Sequence, residues 1–130
     1  MLRQIIAYVT ALITWLVVTS LLNRLLRIGL PGYAAAEPAK VFTLSTQSLR
    51  LALGSVAAVS AGYVLARLAP NARRLPLMLG SLMMALFLSI HYNLWDKFPI
   101  WYHGVFLLSI IPLVLLGARI GTGHAGATGD

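Results

Sequence analysis

Between Ile5 and Leu22 the chain carries no charged side chain, and comparable apolar stretches recur at Leu75–Ile90 and Val105–Leu116. A further stretch, ending near Leu68, holds only Arg50 before Arg67. A run of about 20 apolar residues is long enough to cross the hydrocarbon core of a bilayer as a helix. Inside lipid, a helix is the conformation in which such a segment satisfies its own backbone. These four runs predict an all-α, integral membrane four-helix bundle with spans at about 4–27, 46–68, 73–92 and 99–119. They make one membrane domain, 1–119, followed by a flexible Gly-rich tail over 120–130.

The composition agrees. Hydrophobic residues form 59% of the chain and charged residues 10%, whereas a soluble domain is roughly a quarter charged. The net charge of +7 comes from ten Lys and Arg against three acids. Because those cations sit at the ends of apolar runs, they read as membrane anchors, and nucleic acid is not expected as a partner. The chain has no cysteine, which excludes disulfides, thiol catalysis and covalent c-type haem attachment.

The first apolar run has a rival reading as a secretory signal peptide, with Arg3 as its basic start and Ala34-Ala35-Ala36 as a small-residue cleavage site. The run is longer than a typical signal core, and Arg24 and Arg27 intervene, so a retained helix is expected. Thr10 and Thr14 lie one turn apart and can bond back to their own helix or across to another. Leu30-Pro31-Gly32-Tyr33 ends the helix. The segment Ala34–Val41, with Glu37, Pro38 and Lys40, is long for a loop in a small bundle. A functional loop, a disordered one and a short surface helix all remain open for it.

Thr43 or Ser45 can cap the second span. Within it Gly54, Ala58, Gly62 and Ala66 recur every fourth residue and so share one face. Small residues at that spacing let another helix approach closely, so this helix is expected at the centre of the packing. Ser81, Ala85 and Ser89 form a second small stripe. Asn71 is the expected cap of the third span, Pro76 fits its first turn, and Pro99 fits the start of the fourth. Pro112 lies inside that last span. Gly117-Ala118-Arg119-Ile120-Gly121 reads as its end.

Between the third and fourth spans lies His91–Gly104, which holds two of the three Trp and two of the three His residues. Trp and Tyr collect where an apolar body meets water, so this is an interfacial turn. Two spans separate it from the first loop, so both emerge at one membrane face. Tyr33, Glu37, Arg50, His91, Trp95, Tyr102 and His103 can therefore converge on a polar pocket. An arginine near a membrane core needs a partner, and Glu37 or a carbonyl of the aromatic turn is expected to supply it. Two imidazoles and a carboxylate can ligate a metal, but no recognised ligand spacing is present. No metal, cofactor or catalytic residue is assigned. His124 carries no signal.

The segments Pro31-Gly32-Tyr33-Ala34-Ala35-Ala36-Glu37-Pro38 and Trp95-Asp96-Lys97-Phe98-Pro99-Ile100-Trp101-Tyr102-His103 resemble recurring segments of a group of small, uncharacterised bacterial four-helix membrane proteins. The resemblance implies a bacterial inner-membrane protein and brings no activity with it. The short Arg67–Arg74 turn is the most basic loop, which places it and both termini in the cytoplasm. The expected role is that of a structural or interaction protein, such as a small subunit beside other membrane proteins in the lipid bilayer. The alternatives are a binder or transporter of a small or lipidic ligand, and a membrane-embedded enzyme.

Overall fold

The computed structural model describes residues 1–126, with side chains through residue 123. It is all-helical: α1 Leu2–Gly29, α2 Tyr33–Ala39, α3 Leu44–Leu68, α4 Leu75–Asn93 and α5 Ile100–Gly126, with a 3-10 turn at Trp95–Lys97. Among the described residues four helices, α1, α3, α4 and α5, are long and apolar enough to cross a membrane. The segment after α1 is a short helix, α2, entered through Gly32 at φ 78°, a left-handed conformation that glycine adopts without strain.

Helix starts follow local chemistry in part. The Thr43 hydroxyl accepts the backbone N–H of Thr46 at 3.3 Å and caps α3. Asn71 does not cap α4, which begins at Leu75 behind Arg74, with Pro76 in its first turn. Two further bonds staple the same end of the bundle. Arg3 Nε donates to the last-turn carbonyl of Leu68 at 2.7 Å, and the Tyr8 hydroxyl donates to the carbonyl of Met78 at 3.3 Å.

The helices pack in the spatial order α1, α3, α5, α4, with α3 against both α1 and α5. α3 and α5 run parallel and touch through their backbones. A Cβ on Gly62 would collide with the Val114 carbonyl, and one on Gly117 would collide with the Val59 carbonyl. A Cβ on Gly121 would lie 2.7 Å from the carbonyl oxygen of Tyr63. Inside lipid, helices gain nothing from hiding apolar surface, so this close approach is the main source of cohesion. Ala58, Gly62 and Ala66 are all buried on this face. Gly54, one turn above, gives its space to the Phe106 ring.

Three expectations change here. The Gly117–Gly121 segment does not end the last span; it packs as a small-xxx-small face, and α5 continues to Gly126. Residues 120–126 of the expected tail are thus helical, and 127–130 lie outside the described residues, as does the side chain of His124. Ser81, Ala85 and Ser89 are exposed. The inward face of α4 is instead Leu79, Met83, Phe87 and His91, a strict four-residue spacing.

α1 is the outlying member. It buries only Ala7 and Ala11 completely, while Ile5, Val9, Ile13, Leu16, Val17 and Leu21 face outward. It meets α4 at the Tyr8–Met78 hydrogen bond and at the edge-to-face pair Trp15–Phe87, with centroids 5.1 Å apart. Above that pair, toward the aromatic turn, α1 and α4 stand apart.

Candidate functional site

Each helix brings one stripe to the gap between α1 and α4. From α1 come Trp15, Thr19 and Asn23, four residues apart. From α3 come Arg50 and Gly54, from α4 Phe87 and His91, and from α5 Tyr102 and Phe106. Together with Glu37 of α2 they enclose a chamber of about 300 Å³. Ser20 and Ile90, exposed on the outer sides of α1 and α4, mark its mouth.

The chamber is graded in polarity. Asn23, Glu37, Arg50, His91 and Tyr102 occupy the end near the aromatic turn. Trp15, Gly54, Phe87 and Phe106 line the end about one helical turn deeper.

A chain of hydrogen bonds builds the polar end. Arg27 Nε donates to Glu37 Oε2 at 2.5 Å, and Asn23 Nδ2 donates to Glu37 Oε1 at 3.1 Å. The Tyr33 hydroxyl donates to Asn23 Oδ1 at 2.9 Å and accepts from Arg50 Nη1 at 2.5 Å. The guanidinium of Arg50 also meets the Tyr102 hydroxyl and lies 4.8 Å from the centre of the Phe42 ring. Burial would raise the Glu37 carboxyl pKa. The hydrogen bonds from Asn23 and Arg27, with the positive charges of Arg27 and Arg50, outweigh it and hold the carboxyl below its ordinary value.

Arg50 therefore bonds neither to Glu37 nor to a carbonyl of the aromatic turn. Arg27 stands on the last turn of α1, directly across the short turn from α2, and reaches Glu37 first. The direct contacts of Arg50 are neutral, two hydroxyls and an aromatic face, while the Glu37 charge acts on it without a hydrogen bond.

His91 and His103 are both buried and face each other, Nδ1 to Nδ1, at 2.6 Å. His103 Nε2 lies 3.4 Å from the carbonyl oxygen of Trp95. A carbonyl can only accept, so His103 carries its proton on Nε2 and presents a bare Nδ1. The Nδ1–H of His91 then donates across the pair, and His91 Nε2 is left as an acceptor. The two Nδ1 atoms bond to each other at 2.6 Å, closer than two nitrogens on one metal would stand. Tetrahedral bonds of about 2.0–2.1 Å would spread the nitrogens beyond about 3 Å. The Trp95 ring stacks on His103 with centroids 4.9 Å apart.

Of the residues singled out in the sequence, Glu37, Arg50, His91 and Tyr102 line the chamber. Tyr33 sits behind it and joins Arg50 to Asn23. Trp95 and His103 do not line the chamber; His103 bonds to His91, and Trp95 stacks on His103. Asp96 and Lys97 are exposed.

Sequence reasoning missed the α1 wall. Trp15, Thr19, Asn23 and Arg27 fall at a spacing of four on one face of α1, and that signal was present. Thr14, which drew attention instead, bonds back to the Thr10 carbonyl at 2.8 Å. Ser55, Ser60 and Ser109 do the same within their own helices. Thr19 does not. Among the described residues, Thr19 Oγ1 and Arg50 Nε are the two buried side-chain polar atoms without a hydrogen-bond partner. Both belong to residues that line the chamber.

Compared with protein-family models, curated proteins and solved structures, the chain matches none of them. The fold and the site together define an all-helical bundle of membrane-spanning length with a chamber between its first and third spans.

Proposed function

We propose that this chain is a membrane-embedded binding protein for a small amphipathic or lipidic ligand. It would act in a bacterial inner membrane, with both termini cytoplasmic and the chamber in the outer half of the bilayer. The bacterial setting follows the resemblance of the Pro31–Pro38 and Trp95–His103 segments. The orientation follows the basic Arg67–Arg74 turn.

The graded chamber carries this reading. Its polar end lies at the level of the aromatic turn, where headgroups lie, and its apolar end lies deeper, where acyl chains lie. Its mouth faces sideways between two lipid-facing helices. An amphiphile could enter from the bilayer in the orientation it already has. A bundle evolved only for cohesion has no use for polar atoms left unbonded in such a space, because each costs about 1–3 kcal/mol.

Native mass spectrometry of the protein, released from lipid into uncharged detergent, tests the reading. Binding predicts one bound amphiphile per chain, lost when Leu53→Trp fills the chamber. Equal lipid carryover by the parent and the Leu53→Trp variant would contradict it. A role as subunit of a larger assembly is the second reading, favoured by the exposed apolar outer face of α1. Stable co-purification of another membrane protein would support it.

A further inference from the structure

We infer that the ligand's head is anionic, a carboxylate or a phosphate, and that Arg50 Nε and Thr19 Oγ1 are the groups it meets. The inference rests on the binding role just proposed and deepens it.

The charges around the chamber do not balance. Two cations, Arg27 and Arg50, share one acid, Glu37, which bonds to Arg27 at 2.5 Å. Arg50 bonds only to neutral groups, Tyr33 and Tyr102 with the Phe42 ring beside it, so one positive charge is left in excess of Glu37. An excess positive charge held near a membrane core is costly. A guanidinium is also the side chain best matched to a carboxylate or phosphate, because its planar N–H groups can bond two oxygens.

The hydrogen-bonding inventory agrees. Arg50 Nε can only donate. The Thr19 hydroxyl forgoes the bond back to its own helix that Thr14, Ser55 and Ser60 all make, so it is also free to donate. Two unused donors, both buried on residues that line the chamber, and one excess positive charge lie toward its polar end. A single anionic group would satisfy all three. A neutral alcohol could accept from both donors but would leave the charge as it is, and a cationic head would be repelled. The apolar depth behind these groups, walled by Trp15, Phe87 and Phe106, fits a hydrocarbon tail on the same molecule.

The test compares oleyl phosphate, oleyl alcohol and inorganic phosphate, titrated into the full chain in uncharged maltoside micelles and read by calorimetry. The expected result is that oleyl phosphate binds at least about tenfold more tightly than oleyl alcohol, as suits a charge-assisted hydrogen bond. Arg50→Gln should reduce that ratio to near one while leaving oleyl alcohol unaffected. Thr19→Val keeps the shape and removes only an unbonded hydroxyl, so it should fold as the parent does and lower the ratio too. If inorganic phosphate competes as strongly as oleyl phosphate, the anion comes from water; if it does not, it comes as a lipid headgroup. Either result supports an anion site. Equal affinity of the parent for the phosphate and the alcohol would overturn the anionic head and leave the chamber's binding role standing. Failure of both amphiphiles to bind would overturn the binding role itself. If Arg50→Gln does not fold, an unchanged ratio in Thr19→Val overturns the inference.

Discussion

Adding one methyl group at Gly62 should cost more than almost any conservative change elsewhere in the chain. A Cβ there would collide with the Val114 carbonyl oxygen and lie 2.9 Å from its carbon. Both atoms belong to the backbone of α5, so no side-chain rotation can make room. α3 and α5 must move apart along the contact that holds the bundle together. Overpacking of this kind costs about 1–3 kcal/mol, and here the upper part of that range applies because the obstacle is rigid. Replacing a helical glycine by alanine returns about 0.5–1 kcal/mol. The net loss should be about 2 kcal/mol.

Unfolding in mixed micelles, followed by helical circular dichroism, measures that loss. Gly104→Ala is the control, since nothing lies within 4 Å of a Cβ at that site, and it should match or exceed the parent. Gly117→Ala should resemble Gly62→Ala. The double variant should lose less than the sum, because both substitutions separate the same two backbones. If Gly62→Ala proves as stable as Gly104→Ala, the close α3–α5 contact is wrong.

Three further outcomes follow from the site and the topology. Glu37 has a carboxyl pKa held below its ordinary 4.5. Its contribution to stability should therefore be complete above that value and disappear as pH falls from there through the depressed pKa. Unfolding midpoints measured across that window should fall more steeply for the parent than for Glu37→Gln, and parallel curves would contradict this. His103→Phe should strand the His91 Nδ1–H and cost about 1–3 kcal/mol. A double-mutant cycle with His91→Phe should show coupling of about 0.5–3 kcal/mol, and additivity would remove the pair. In whole cells, an impermeant thiol reagent should label a cysteine at Lys97 and not one at Asn71. The opposite pattern would invert the orientation.

The four spans were legible because apolar runs of that length have few other destinations. Their expected limits fall within a few residues of the helices, except at the end of α5. There Gly117 and Gly121 looked like a terminus, because glycine in isolation favours one. Against the α3 backbone the same residues are a packing face, and packing outweighed propensity. The Gly54–Ala58–Gly62 stripe was legible from spacing alone.

The site was legible by half. Alternation of spans put Glu37, Arg50, His91 and His103 at one end, and that placement needs only chain order. Which cation reaches Glu37 depends on the short turn at residues 30–32, which brings Arg27 nearer than Arg50. The chamber itself depends on α1 standing off from α4, a feature that no local pattern encodes. Thr19 was overlooked because a threonine in an apolar helix usually bonds to its own backbone. Only the structure shows that this one does not.

The most direct measurement uses Trp15, which lines the chamber's apolar depth. With Trp95→Phe and Trp101→Phe, it becomes the only tryptophan in the chain. A fatty acid brominated along its tail, added in trace amounts to micelles of uncharged detergent, quenches indole fluorescence on contact. A ligand chamber predicts quenching that saturates at one equivalent and is reversed by the unbrominated fatty acid. Quenching that merely grows in proportion to the brominated fraction of the micelle would mean that Trp15 meets bulk amphiphile and that no chamber is occupied.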